Sequence, residues 1–257
     1  MTSRPTKLPQ FDPMEGQRPR RGAARSVEPR TFEGDGVTWT VTLPDRERAG
    51  LGTRKPRAQV VVRAGGHEQS LSCPLAVARQ LIKEGVPAPA PSSVSGYLEF
   101  QDRVATACAA ARLRGLVDRR DYSRLEAERK LKDDGYWPPV IEDVLSRACA
   151  GRLLDDRRFA DTFIRSKVSA GWGPVRIGRE LARRGIELSE VPGWPEEFVE
   201  EDDGDRAWAL VERRTVPAKN PYEKTVRFLV SRGFGYDVAK RCAARLMDRL
   251  REEGEER

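Results

Sequence analysis

The sequence predicts a mainly α-helical protein: three tandem three-helix repeats, preceded by a small α+β N-terminal unit and a disordered basic tail. Three observations lead there. The form Leu-x-x-x-Gly recurs at Leu131–Gly135, Leu181–Gly185 and Leu229–Gly233, with spacings of 50 and 48 residues, a period expected of helical arrays. Each occurrence closes a helix with a readable start: Ser123 to Glu126 reads as a capping box, Gly173-Pro174 opens the second helix and Asn220-Pro221 the third. Convincing strand patterns are confined to residues 31–86.

From the start of the chain, residues 1–30 hold five prolines and seven Lys or Arg against three acids, a composition too poor in large apolar residues to fold. They are expected to be a disordered basic tail, serving either as loose attachment to a polyanion or as a solubilising extension. Residues 31–86 change character. Val37 to Leu43 alternates and is rich in β-branched residues, Gln59 to Arg63 reads as a second strand, and Glu68 to Cys73 reads as a third, joined to the second through Ala64-Gly-Gly-His67. Pro74 to Glu84 then reads as a helix with Leu75, Val77, Ala78, Leu81 and Ile82 on its apolar side and Gly85 as its stop. This makes a small α+β domain near the lower size limit for its own core, and its role is not legible.

The Pro- and Ser-rich residues 87–98 read as a linker. Helical repeat 1 is expected over 99–151, repeat 2 over 152–198 and repeat 3 over 199–257. The third segments of the first and last repeats are Val140 to Cys149 and Val238 to Leu250. The acidic run Glu196 to Asp205, with seven acids, reads as a solvated connection between repeats 2 and 3, and Glu252 to Arg257 as a frayed end. Small units of this kind bury little alone and are expected to lean on their neighbours.

Repeat 2 carries the strongest signal. Asp155 or Asp156 suits an N-cap, and Phe159, Phe163, Ile164 and Val168 recur at helical spacing. After Gly171-Trp-Gly173, Pro174 opens a helix that ends at Gly185. On it, Ile177 and Leu181 form a core face, while Arg176, Arg179 and Arg183 fall within an arc of about 60° on the other side. From Arg152 to Arg184 there are nine Lys or Arg against four acids, although residues 99–257 together hold 32 against 31. The candidate binding residues are therefore Arg157, Arg158, Arg165, Lys167, Trp172, Arg176, Arg179, Arg183 and Arg184. Trp172 reads either as an exposed anchor or base-stacking surface or as a wedge between helices. The arginine row reads as an interaction face or as a solvated helix face.

Composition bounds the chemistry. The chain carries a net charge of +7 and is 34% charged, which favours a polyanionic partner. With one histidine, His67, in a turn, and four scattered cysteines without a CxxC, no zinc site is expected, and the cysteines read as reduced thiols of a cytoplasmic protein. No phosphate-binding glycine loop or nucleophile–histidine grouping is visible, so neither an enzyme, a metal nor a cofactor is expected. No apolar run has membrane-spanning length, and no signal-peptide core is seen.

The residues of the central repeat also carry a resemblance. Leu154-Asp-Asp-Arg-Arg-Phe-Ala160, then Gly171-Trp-Gly-Pro-Val-Arg-Ile177, Glu180-Leu181 and Gly185-Ile186, resemble the signature of the RecX family of bacterial recombination regulators. The resemblance covers roughly residues 101–249. Asp155 stands where that family commonly has asparagine, and residues 1–95 lie outside it. It implies tandem three-helix units and a non-enzymatic regulator, expected to be a monomer, that binds the RecA filament on single-stranded DNA. Such a protein would lie in the filament groove and inhibit ATP hydrolysis, strand exchange and filament growth, with consequences for DNA repair, homologous recombination and the SOS response. Direct binding of single-stranded DNA by a helical repeat protein is the alternative reading.

Overall fold

The computed structural model of the protein describes residues 28–44, 55–199 and 202–255. Nearly all of the predicted basic tail, and Glu200 and Glu201 of the acidic run, lie outside the described residues.

Four strands form an antiparallel meander: β1 (Arg30–Glu33), β2 (Val37–Thr42), β3 (Arg57–Ala64) and β4 (His67–Pro74). β2, β3 and β4 follow the predicted pattern. The turn between β3 and β4 is made by Gly65 and Gly66, both at positive φ, as a two-residue hairpin loop requires. His67 is exposed beside it. The alternation of β2 and β3 puts Val37, Trp39, Val41, Ala58, Val60 and Val62 on one buried face, and α1 (Leu75–Glu84) covers it with Val77, Ala78 and Leu81. β1 was not expected: four residues with a charge at each end give too short a pattern to read, and the strand forms because Arg30 to Glu33 pair with Thr38 to Val41.

Two expectations about the N-terminal part change. Residues 87–98 do not run as a free spacer. The Pro91 carbonyl accepts the Asp35 amide at 2.9 Å, and α2 (Val94–Val117) already begins inside this segment with Ser93 as its N-cap. Nor do residues 31–86 keep a core to themselves. Trp39 meets Tyr97 at 5.3 Å and Phe100 at 6.1 Å between ring centroids, so one apolar core runs from the sheet through α1 and α2 to α3 (Arg124–Asp133) and α4 (Pro138–Ala150). Burying these aromatic rings against the next element is the reason: a 60-residue unit cannot hide them alone.

Then follow α5 (Asp156–Ser169) and α6 (Pro174–Ala182), then α7 (Asp203–Glu212), which begins within the acidic run expected to be a connection because Asp202 caps it, and α8 (Pro221–Arg232) and α9 (Tyr236–Glu255). The C-terminal segment expected to fray is the helical end of α9 as far as Glu255. The middle repeat lacks its expected third helix. Pro192, Gly193 and Pro195 interrupt the backbone, and a 3-10 turn at Leu188–Glu190 followed by turns replaces it. Val191 and Phe198 still plug the core formed by Phe159, Ile164, Ile177 and Leu181. The last three helices enclose a separate core around Trp208, Leu229 and Phe234.

Candidate interaction face and the joints that hold it

The three Leu-x-x-x-Gly stretches take one conformation. Leu131, Leu181 and Leu229 are fully buried, and Gly135, Gly185 and Gly233 have φ of 92°, 78° and 95°. The amide after each glycine returns to the leucine carbonyl at 3.1 Å: Tyr136 to Leu131, Ile186 to Leu181 and Phe234 to Leu229. This is the six-to-one bond of a Schellman cap, which satisfies carbonyls that a helix end leaves free.

Each glycine turn also docks backward on what precedes it. The end of α8 meets the start of α6: the Gly173 amide donates to the Arg232 carbonyl at 2.9 Å and the Val175 amide to the Gly233 carbonyl at 3.0 Å. A Cβ on Gly173 would lie 2.3 Å from the Gly233 oxygen, so the two backbones touch. The end of α6 meets the start of α3: Ser123 Oγ donates to the Arg184 carbonyl at 2.8 Å and Arg129 Nη1 to the Arg183 carbonyl at 2.9 Å. The Gly135 turn meets the sheet, where Arg57 Nη2 donates to the Gly135 carbonyl at 3.0 Å. The helices α8, α6 and α3 thus follow one another end to end, each C-terminus against the next N-terminus, an arrangement that aligns their dipoles favourably.

Asp155 and Asp156 divide the capping work. Asp155 caps its own helix, accepting the Arg158 amide at 3.0 Å, and this bond holds its carboxyl below the usual range. Asp156 accepts the Arg124 amide at 2.7 Å and so caps α3 instead. Spacing suggested capping for this pair, and only the fold shows that the second acid serves a helix 32 residues earlier.

Between α5 and α6 the chain turns at Gly171, with φ 74°, and Trp172 is left half-buried. Its ring packs edge-on to Phe163 at 6.4 Å. The Arg176 guanidinium lies over it at 3.7 Å from the centroid and the Lys167 ammonium at 5.1 Å. The two readings of Trp172 therefore meet in one residue, a wedge on Phe163 that also supports two cations. Each such contact is worth about 0.5–1 kcal/mol at a part-exposed site. Arg206, missed in the sequence, fixes this turn from α7. Its side chain is nearly buried, it pairs with Asp203 at 2.9 Å, and it donates to the Trp172 carbonyl at 2.7 Å.

The predicted cations do not all join this cluster. Arg179 is exposed and has no ion-pair partner among the described residues, and it lies one turn from Arg176 on the same helix. Arg157 is also exposed, but it sits at the far end of α5, about 15 Å along the helix from Lys167. Arg183 pairs with Glu180 at 2.9 Å, Arg165 with Asp161 at 3.2 Å, and Arg158 donates to the Arg152 and Leu153 carbonyls. Arg184 is an internal strut: it bonds Glu180 at 2.8 Å and reaches Glu126 of the α3 capping box at 3.5 Å. The Arg184 hydrogen bond, with the nearby charges of Arg183, Arg184 and Arg176, lowers the Glu180 carboxyl below its ordinary value. The candidate face is therefore Lys167, Trp172 and Arg176, all half-buried, with the exposed Arg179 beside them.

This geometry defines a class: short helical bundles joined at helix ends, with an aromatic–cationic face on the middle bundle. The family described as "RecX, second three-helix domain" matches residues 155–189, the segment that holds the face. A regulatory protein RecX of Halorhodospira halophila is 38% identical over 136 residues, covering 50% of this chain and 82% of the relative. One of Chromohalobacter salexigens is 34% identical over 146 residues, covering 53% and 91%. A crystal structure of regulatory protein RecX shares the fold at a TM-score of 0.51 and 18% identity, covering 72% of this chain and 94% of that one. The chain belongs to the RecX family of regulatory proteins.

Proposed function

We propose that the protein is a negative regulator of the RecA recombinase. In this reading it binds the RecA filament on single-stranded DNA and inhibits ATP hydrolysis, strand exchange and filament growth. It acts as a monomer in the cytoplasm, without catalysis of its own, and so tempers recombination, repair and the SOS response. The observation that carries the reading is a coincidence of place: the stretch matched by the family is the one where Lys167 and Arg176 lie over Trp172 beside the exposed Arg179. Guanidinium groups there can pair bidentately with carboxylates or phosphates, and a part-exposed tryptophan is a favoured interface anchor. Three helical units, the middle one shortened, set end to end would let this face follow a helical groove while the flanking units touch neighbouring subunits.

The test is DNA-dependent ATP hydrolysis by RecA of the same organism on preformed filaments, titrated with this protein at two salt concentrations. Substoichiometric inhibition that survives the higher salt is expected. Inhibition only at low salt, tracking coverage of free DNA, would contradict filament binding and indicate direct binding to the strand, because contacts to phosphates weaken steeply with salt.

A further inference from the structure

A second basic site lies away from the α5–α6 face, in a cleft between the sheet and the first helices. The cleft has a volume of about 790 Å³ and is lined by six cations, Lys55, Arg57, Arg112, Arg119, Lys130 and Lys132, against two carboxylates, Asp133 and Asp134. Helix ends explain some of this charge. α2 and α3 both finish beside the cleft, and each C-terminus carries roughly half a negative charge. Those two ends and the two carboxylates amount to about three negative charges, half of what the cations supply.

The pairing pattern leaves specific groups free. Lys55 and Arg112 share Asp134, and Lys132 pairs with Glu128. Arg57 donates to two carbonyls, of Ser72 and Gly135. Arg119 and Lys130 are exposed and have no carboxylate partner among the described residues. Arg112 lies on α2, and Arg119 lies in the turn that follows its end at Val117.

We propose that this cleft binds the phosphodiester backbone of single-stranded nucleic acid. The lining decides among anions. Leu116 and Tyr122 are its only large apolar residues among those described, so the described lining lacks the apolar core that anchors a protein partner and has the dense positive charge of a nucleic-acid surface. Among the described residues it contains no helix N-terminus or glycine-rich amide cradle of the sort that grips one terminal phosphate; its cations are spread over α2, α3, β3 and the segments beside them, as a repeating charge requires. The site joins Lys55 and Arg57 of the sheet-bearing extension to α2, α3 and the segment between them, and binding there is expected without RecA.

The experiment is anisotropy of a labelled 15-nucleotide oligothymidylate with the full chain, across a salt series and without RecA, so its result is independent of filament inhibition. Arg119→Ala with Lys130→Ala is expected to weaken binding at least tenfold at low salt and to flatten the log–log salt slope by roughly 1.4, two lost contacts at about 0.7 each. Asp133→Lys is expected to tighten binding several-fold, a change that misfolding cannot imitate. Unchanged binding in both variants, or loss on Arg179→Glu with none in the cleft double variant, would overturn the proposal. So would displacement of the oligonucleotide by inorganic phosphate beyond the effect of an equal ionic strength, which would reassign the cleft to a free phosphate ligand.

Discussion

The two ends of α6 are anchored by different chemistry. At its C-terminal end, side chains do the joining: Ser123 and Arg129 donate to the Arg184 and Arg183 carbonyls, and Arg184 reaches Glu126. At its N-terminal end, backbone meets backbone, with Gly173 and Val175 donating to Arg232 and Gly233. Both joints satisfy the free groups of helix ends, and both place the next bundle in line. The first is charged and tolerates adjustment. The second depends on the absence of a side chain, so its geometry has almost no slack. The interaction face sits beside the stiff joint, because Arg176 packs against Gly233 and Trp172 is tied to Arg206.

The comparison can be broken by substitution. The largest effect is expected from Gly173→Ala. Its Cβ would overlap the Gly233 carbonyl, so the joint must open and lose two backbone hydrogen bonds. A loss of about 3 kcal/mol, at the upper end for overpacking, should appear as a lower denaturation midpoint. A loss below about 0.5 kcal/mol, the level of a neutral surface change, would show that the backbones are not in contact. Ser123→Ala comes next. It removes an N-cap and the bond to the Arg184 carbonyl from a fully buried site, at an expected cost of about 1–2 kcal/mol. Ser123→Thr should recover part of it.

The smallest effect is expected from Glu180→Gln, which weakens the Arg184 strut by no more than about 1 kcal/mol. Its pH dependence sharpens the contrast. The Glu180 carboxyl is lowered in the folded protein, so the unfolded chain binds its proton more readily. The stabilisation is present above the ordinary carboxylate pKa and is lost as pH falls through the lower folded value. Acid and high salt should therefore loosen the joint of α6 with α3 before that of α6 with α8. Hydrogen exchange of the Glu126 amide, which donates to Ser123 Oγ, and of the Gly173 amide reads the two joints separately, and equal loosening of both would contradict the distinction.

Much of the helical part was legible because its signals are local. The Schellman glycines, the Ser123 capping box and the apolar set of α6 depend on neighbours within a turn or two, and each lies where its pattern predicts. The misses share another cause. β1 exists only through its pairing with β2. Residues 87–98 look like a spacer because proline and serine mark irregular backbone whether it is free or packed, and the Pro91–Asp35 contact is long-range. The missing third helix of the middle bundle was within reach: Pro192, Gly193 and Pro195 stand in the sequence, and the repeat pattern outweighed them. For the candidate face, charge counting marked α5 and α6 but could not separate Arg184, engaged with Glu180 and Glu126, from Arg179, which has no ion-pair partner among the described residues. Arg206 gave no local sign, since its partner is a carbonyl 34 residues away.

In the proposed function the Lys167–Trp172–Arg176–Arg179 face engages the RecA filament. The most direct test is the charge-reversing pair Arg176→Glu and Arg179→Glu in the filament ATP hydrolysis assay, with helix content followed by circular dichroism. A folded double variant that has lost inhibition at concentrations where the unaltered protein saturates is the predicted result. A folded double variant that inhibits as well as the unaltered protein would contradict the assignment of the face.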